Sequence, residues 1–352
     1  MKVGLVGYSS SGKSTLYRAA ARGVAKGDVT AVPVPDERFD TIVKQVKPKK
    51  ITPATVMLYD DLESAKGGSG KTFSQRFLDE ARKMELLLHV VRAFDSPVVP
   101  HYDDVEPLRD QEAIEVELVL ADLQIVENRL ERLQKSLTAK NPGSPDYIER
   151  TVFEKLKGTL EEGIPIRAVE LDEDSQTVVR NYQLLSAKPM VVAFNVNEDN
   201  AASPDQTLVK RASELAAKAT PAFSVCATIE EEIAQLEPAD QPEFLKSLGL
   251  EEPASAKVIR AVYEALGLIT FFTAGENETR AWPLRRGSNA LKAAGTIHTD
   301  IAKGFIRAEV VHYSDYVAAG SLDAAYSAGK MSLEGKEYVV QDGDLLHIRN
   351  KS

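Results

Sequence analysis

Cysteine is nearly missing from this chain. Cys226 is the only one in 352 residues, which excludes an internal disulfide and any metal cluster built from cysteines. That scarcity points to a reducing, cytoplasmic setting. Histidine is sparse as well, and the five present are scattered without metal-ligand spacing. No apolar run approaches the ~20 residues of a membrane-spanning helix, so no membrane partner is expected. The first residues run straight into a strand pattern instead of a secretory leader. Positive charge is not in excess either. The formal net charge of −10 argues against a generally basic nucleic-acid binder, although counterion release depends on the charges at the contact and leaves room for a local basic patch. What is present is an ordinary globular composition, 43% hydrophobic and 27% charged, at a length that asks for two or three domains.

The chain is organised around its start. Lys2 to Val6 reads as a short apolar strand, and Gly7-Tyr8-Ser9-Ser10-Ser11-Gly12-Lys13-Ser14 follows at once, matching the phosphate-loop pattern G-x-x-x-x-G-K-[ST]. Glycines at 7 and 12 let the backbone turn tightly and bring N–H groups against phosphate oxygens. Lys13 supplies a positive charge, and the Ser14 hydroxyl is placed to ligate Mg²⁺. Leu16 to Arg22 reads as a helix whose N-terminal dipole favours the same anion. Strand, loop and helix stand in the order that this motif requires.

Further along, Gly23 to Thr30 reads as a loop and Ala31 to Asp36 as an extended segment interrupted by prolines. Asp36 can cap a helix over 37–46 that places Phe39, Ile42, Val43 and Val46 on one face. The tract Lys47-Pro48-Lys49-Lys50 is short and reads as a solvated loop in preference to a binding patch. A strand over 54–59 ends in Asp60-Asp61, where a carboxylate can hold Mg²⁺ or, equally, cap a turn. The glycine-rich stretch 63–72 ends in Gly70-Lys71-Thr72, which imitates a second phosphate loop but has Ala65 where the pattern needs glycine. Phe73 to Lys83 reads as helix and Glu85 to Arg92 as a buried strand, with His89 a packed core residue.

From Ala113 the pattern changes. Val116, Val119, Leu123, Val126, Leu130, Leu133 and Leu137 recur at alternating spacings of three and four, as in an a/d seam. Asn141 to Pro145 breaks it, and a second helix carries Val152, Phe153, Leu156 and Leu160. The two form an antiparallel helical hairpin, either a projecting arm or a pair of ordinary packed helices. A buried strand over 189–194 then leads into Asn195-Val196-Asn197-Glu198, where Asn195 can tie the loop to the phosphate loop and Glu198 can accept from a base edge. The segment 221–227 is the last strand and loop of the domain, and 230–236 and 242–248 read as helices. Beyond Gly267, strands are expected over 268–273, 278–284, 305–311, 337–340 and 345–348, with a short helix over 290–294. This is a compact α+β module. Its Arg280, Arg285, Arg286, Lys303 and Arg307 are balanced by acids, so an RNA surface and a protein contact stand as alternatives.

Taken together, these segments resemble the YchF-type GTPases, the Obg-related branch of the translation-factor class of P-loop NTPases. The resemblance rests on residues 32–38, 47–54, 89–92, 195–198 and 271–275. It continues through 280–282, 293–300, 304–308, 334–336 and 341–344. It implies an α/β fold: a P-loop NTPase domain with a mostly parallel sheet over 1–111 and 184–266, an inserted antiparallel coiled-coil arm over 112–183, and a C-terminal α+β TGS domain of β-grasp type over 267–352. It implies ATP or GTP with Mg²⁺ as ligands, N-x-x-E in place of N-K-x-D, and association with ribosomes or RNA through the arm and TGS domain, as a monomer. The nucleotide-binding set it implies is Gly7, Ser10, Ser11, Gly12, Lys13, Ser14, Thr15, Asn195, Val196, Glu198, Cys226 and Ala227, with Ser14 and Asp60 at the metal.

The departures concern hydrolysis. The family carries a longer segment before V-P-D, including a switch threonine, for which Thr30 is a weak substitute. Its D-x-A-G has become Asp60-Asp61-Leu62-Glu63, which sets an acid where a glycine N–H meets the γ-phosphate. Ser64 replaces the following hydrophobic residue, and Ser9-Ser10-Ser11 replaces Pro-Asn-Val. Nucleotide binding is therefore better supported than hydrolysis. The sequence leaves two readings: a slow ATPase/GTPase, or a diverged ribosome- or RNA-binding adaptor in which nucleotide is structural or absent.

Overall fold

In a computed structural model the described residues are 1–22, 27–66 and 73–351. Half of the expected loop 23–30, residues 23–26, and the whole Gly70-Lys71-Thr72 triplet lie outside the described residues. The chain opens with β1 (Lys2–Val6), α1 (Lys13–Ala20), β2 (Val29–Pro33), α2 (Glu37–Val46), β3 (Ile51–Thr52) and β4 (Thr55–Tyr59). Next come α3 (Gln75–Arg82), β5 (Leu86–Ala93), α4 (Pro107–Gln134), α5 (Pro145–Glu161), α6 (Glu173–Tyr182) and β6 (Met190–Val196). Then follow α7 (Gln206–Ala216), β7 (Ala222–Val225), α8 (Ala227–Gln235), α9 (Gln241–Ser247), α10 (Ala254–Ala265), β8 (Leu268–Thr273) and β9 (Thr279–Arg285). The chain closes with α11 (Ala290–Ile297), α12 (Thr299–Lys303), β10 (Phe305–Val311), α13 (Tyr313–Ala319), α14 (Leu322–Ser327), β11 (Ser332–Glu334) and β12 (Leu345–Asn350).

These elements cluster into two compact units, Met1–Thr30 with Met57–Val262, and Ala31–Val56 with Tyr263–Ser352. Residues 31–56, which the sequence reading placed with the amino-terminal domain, thus group with the C-terminal segment. One sheet has the order β2-β4-β1-β5-β6-β7, with β4, β1, β5, β6 and β7 parallel. Its middle strands are apolar on both faces, as helices on both sides require: every residue of β6 is buried. Because β1 is interior, the loop that follows it opens at the carboxyl end of the strands, where parallel α/β sheets present ligand sites.

The second unit carries a mixed sheet of order β11-β10-β12-β8-β9-β3. Its core sets Ile269, Phe271, Trp282, Leu284 and Leu346 against Ala290, Ala293 and Ala294 of α11. The expected strand over 337–340 does not form. Strand pairing is supplied instead by Ser332–Glu334 against β10. Residues 336–340 spend their backbone groups on the start of α11, through Leu291 N–H to Lys336 O, Ala290 N–H to Tyr338 O and Val340 N–H to Ser288 O.

The helical stretch also departs from expectation in detail. Helix α4 is a single helix of 28 residues, about 42 Å long at 1.5 Å per residue. Ile114 and Leu118 pack into the sheet's cluster, while Val119, Val126, Leu130 and Leu133 pack with α5 and α6. Two members of the expected seam fall out of it: Val116 is 48% exposed and Leu137 is 83% exposed. Leu137 lies past the helix end at Gln134, and at the other end Ile114 and Leu118 already occupy the buried face.

Candidate functional site

The turn from β1 into α1 depends on its glycines. Gly7 has φ 151°, and a Cβ there would lie 2.3 Å from the Val90 carbonyl oxygen. Gly12 has φ 94°, and its Cβ would lie 2.1 Å from Asn195 Nδ2. Both are conformations and approaches that only glycine tolerates. Ser10, at φ 61°, is held in the left-handed region without being glycine.

Around this turn the expected residues come together. Lys13 is buried, and its Nζ donates to the carbonyls of Gly7 at 3.0 Å and Tyr8 at 2.8 Å. Burial pushes its pKa down to about 8, against the opposing pull of Asp60. Asp60 stands where β4 ends, and its backbone N–H donates to Asp28 O at 2.8 Å. Its carboxylate lies near the Ser14 hydroxyl, which favours the charged form, but burial outweighs that and raises its pKa. Thr15 lies one residue further into α1, where its hydroxyl accepts from Arg18 at 3.4 Å.

Asn195 is the penultimate residue of β6, so the loop begins at Asn197 and not at Asn195 as the sequence reading had it. The buried Asn195 amide donates to Ser11 O at 2.9 Å, and its carbonyl accepts from Ala227 N–H at 3.0 Å. It thereby joins the phosphate loop to the start of α8, whose N-cap is the buried Cys226. Glu198 opens the exposed turn after Val196 and lies close enough to act electrostatically on the Cys226 thiol, whose pKa is raised chiefly by burial. Val196 itself packs into the apolar cluster with Val6 and Phe194.

The segment after Asp60 runs beside the turn, with Ala65 N–H donating to Gly7 O at 3.0 Å. Glu63 accepts a hydrogen bond from Ser74, the N-cap of α3, and lies 3.7 Å from Lys66. Thr30, the weak substitute for the family threonine, sits in β2 and not in a loop. His89 is fully buried and its pKa falls to about 3, chiefly through desolvation, which leaves it a neutral packed residue.

Two contributors escaped the sequence reading. Tyr8 packs its ring 4.8 Å from that of Tyr102. Arg92, in β5, donates to Ser10 O in the turn itself. A cation closing the run Leu-Leu-Leu-His-Val-Val was the available signal.

The site fits a nucleotide polyphosphate with a divalent cation. The glycine cradle is one a Cβ would fill. The Ser11 hydroxyl is buried without a partner beside Gly7, a polar atom that a bound ligand could satisfy. The hydroxyl of Ser14 and the carboxylate of Asp60 form the hard-oxygen pair suited to Mg²⁺.

Comparison with known proteins gives the same direction. Residues 268–351 match the family described as YchF-GTPase_C, "Protein of unknown function (DUF933)". The "Ribosome-binding ATPase YchF" of Bacillus subtilis (strain 168) is 40% identical over 363 residues, covering 99% of each chain. That of Escherichia coli O157:H7 is 38% identical over 360 residues, covering 99% of this chain and 98% of the relative. The structure of the Schizosaccharomyces pombe YchF GTPase superposes with a TM-score of 0.89 at 31% identity, over 99% of this chain and 97% of that one. A near-complete match in sequence and in fold, centred on a glycine cradle with Lys13, Ser14 and Asp60 in place, means that the chain belongs to the YchF family.

Proposed function

We propose that this protein binds a purine nucleotide with Mg²⁺, hydrolyses the triphosphate slowly, and works at the ribosome. The observation that carries the reading is the buried Lys13 ammonium in a glycine cradle, beside the Ser14–Asp60 pair. Lys13 now rests on carbonyls of its own loop, and a polyphosphate would draw it off them by charge. Ser14 and Asp60 would hold Mg²⁺, whose role when bound is to neutralise charge on the β- and γ-phosphate oxygens. The exposed Glu198 would meet the base edge, with Cys226 and Ala227 flanking it. Glu198 accepts and cannot donate, so it would meet an N–H donor on the base edge, which adenine and guanine both carry; the expected acceptance of ATP follows from N-x-x-E standing where most GTPases have N-K-x-D.

Slow turnover follows from Glu63 and Ser64. A carboxylate stands where the family keeps a glycine N–H, so one donor to γ-phosphate charge is lost. The hairpin of α4 and α5 would be the family's coiled-coil arm, and the mixed sheet over 268–350 its β-grasp TGS domain. Both would serve as surfaces for ribosome or RNA; the relatives are named ribosome-binding ATPases. Titration calorimetry with ATP, GTP and ADP in Mg²⁺ tests the reading. We expect ATP to bind at least as well as GTP, and Lys13→Ala to weaken triphosphate binding by at least about tenfold, or ~1.4 kcal/mol. Equal affinity in wild type and variant removes the nucleotide reading and leaves the adaptor.

A further inference from the structure

Arg92 and Asn195 are direct partners in the β5–β6 register. Their side chains therefore leave the sheet on the same side, toward the turn between β1 and α1. Asn195 donates to the carbonyl of Ser11. Arg92 Nη1 donates to the carbonyl of the preceding residue, Ser10, at 3.2 Å. Two successive peptide planes of the phosphate loop are thus held from outside by neighbouring residues of adjacent strands. The first of these planes follows the left-handed Ser10, where an alternative backbone conformation lies close in energy.

The rest of the guanidinium is spent on one other segment. Nε donates to Phe94 O at 3.1 Å, Nη2 to Val99 O at 2.8 Å and Nη1 also to Pro100 O at 3.4 Å. The group lies 4.3 Å from the Phe94 ring centroid and is almost fully buried. All its hydrogen-bond acceptors are carbonyls, and no carboxylate pairs with it among the described residues; Asp95 acts on it only through space. A buried cation without a counter-ion is costly, and an anion arriving on the loop lowers that cost.

We propose that Arg92 is a positioning residue of the nucleotide site. It sets the Ser10–Ser11 peptide as Asn195 sets the Ser11–Gly12 peptide, and it makes the order of the 94–100 segment depend on the same guanidinium. The loop then meets phosphate with its N–H groups already directed. Only a planar fork with five donors reaches all four carbonyls; a lysine at this position keeps the charge but not the span.

The inference rests on the nucleotide reading for its purpose but not for its geometry, so two measurements are paired. The first is amide exchange over residues 8–16 and 94–100 in the nucleotide-free protein. The second is Mg-ADP affinity by calorimetry. In Arg92→Ala we expect faster exchange in both segments and an affinity lower by about tenfold. Low-millimolar guanidinium should restore much of that affinity, where the same concentration of sodium chloride does not. Arg92→Lys should fall between wild type and Arg92→Ala on both measures, and it decides the matter if the alanine variant does not fold. Unchanged exchange over 8–16 in the variants overturns the proposal, as does a loss of affinity that guanidinium leaves untouched. A wild type that binds no nucleotide removes the nucleotide reading, while the exchange comparison still decides Arg92.

Discussion

At the scale of single residues, this protein satisfies buried or half-buried cations with backbone carbonyls at Lys13, Arg92 and Lys188. Arg92 does so beside the phosphate loop. Lys188 does so at the carboxyl end of α3, donating to Arg82 O at 2.8 Å and Met84 O at 2.5 Å. Such carbonyls have no partner inside the helix, and a cation is the favoured cap. Burial pushes the Lys188 pKa down to about 8, with Asp122 opposing. Between that value and the normal value of 10.5, the unfolded chain holds a proton at Lys188 that the folded chain has released. Stability therefore rises with pH across this window on account of Lys188. Below about 8 both states are charged and the penalty is at its full value. Lys188→Met should flatten the slope of unfolding free energy against pH between 8 and 10, measured by urea denaturation at several pH values. A slope equal to that of wild type would show that the group is not desolvated in solution.

At the scale of elements, α4 serves two masters. Its first turns bury Ile114 and Leu118 against the sheet, and its later turns bury Val126, Leu130 and Leu133 against α5 and α6. The change of face explains why the regular spacing of apolar residues overstated the seam. Phe153 of α5 is at the centre of the helical cluster, fully buried with its ring edge-on to Tyr182 at 4.9 Å. Phe153→Ala should cost about 3–5 kcal/mol by urea denaturation followed by far-ultraviolet circular dichroism. Leu137→Ala, at a site 83% exposed, should stay within about 0.5 kcal/mol of wild type. Comparable losses in the two variants would restore Leu137 to the seam.

At the scale of the whole molecule, the segment 31–56 is claimed by the C-terminal unit through long-range pairs. Ile51 and Thr52 pair with Thr279 and Arg280. Phe39 stacks on Phe272 at 6.0 Å. Arg38 is shared between Asp36 at 2.8 Å and Asp342 at 2.9 Å, and Asp342 also accepts from Thr270 N–H. Arg38→Ala leaves two carboxylates without their cation and should cost about 2 kcal/mol. The chain's single tryptophan, Trp282, belongs to this unit, so its fluorescence in urea reads the loss directly. An unchanged midpoint would mean that the ion pairs of Arg38 contribute nothing to the unit's stability.

The division of labour between sequence and tertiary structure runs along contact range. The phosphate loop, the Asp36 cap, the apolar strands and the order of helices and strands were legible because each is set by residues a few positions apart, through turn chemistry, capping and periodicity. The approach of Asp60 to Ser14 and the link from Asn195 to the phosphate loop were legible from strand ends, since parallel strands bring their carboxyl ends to one edge. The position of Arg92 was not, because it depends on the register that sets β5 against β6, and register is decided by packing across the sheet. The failed strand over 337–340 has the same origin: its β-favouring residues had backbone groups to offer, and the start of α11 took them first. The extent of the α4 seam and the allegiance of 31–56 were likewise decided only on folding, when distant residues competed for the same buried surface.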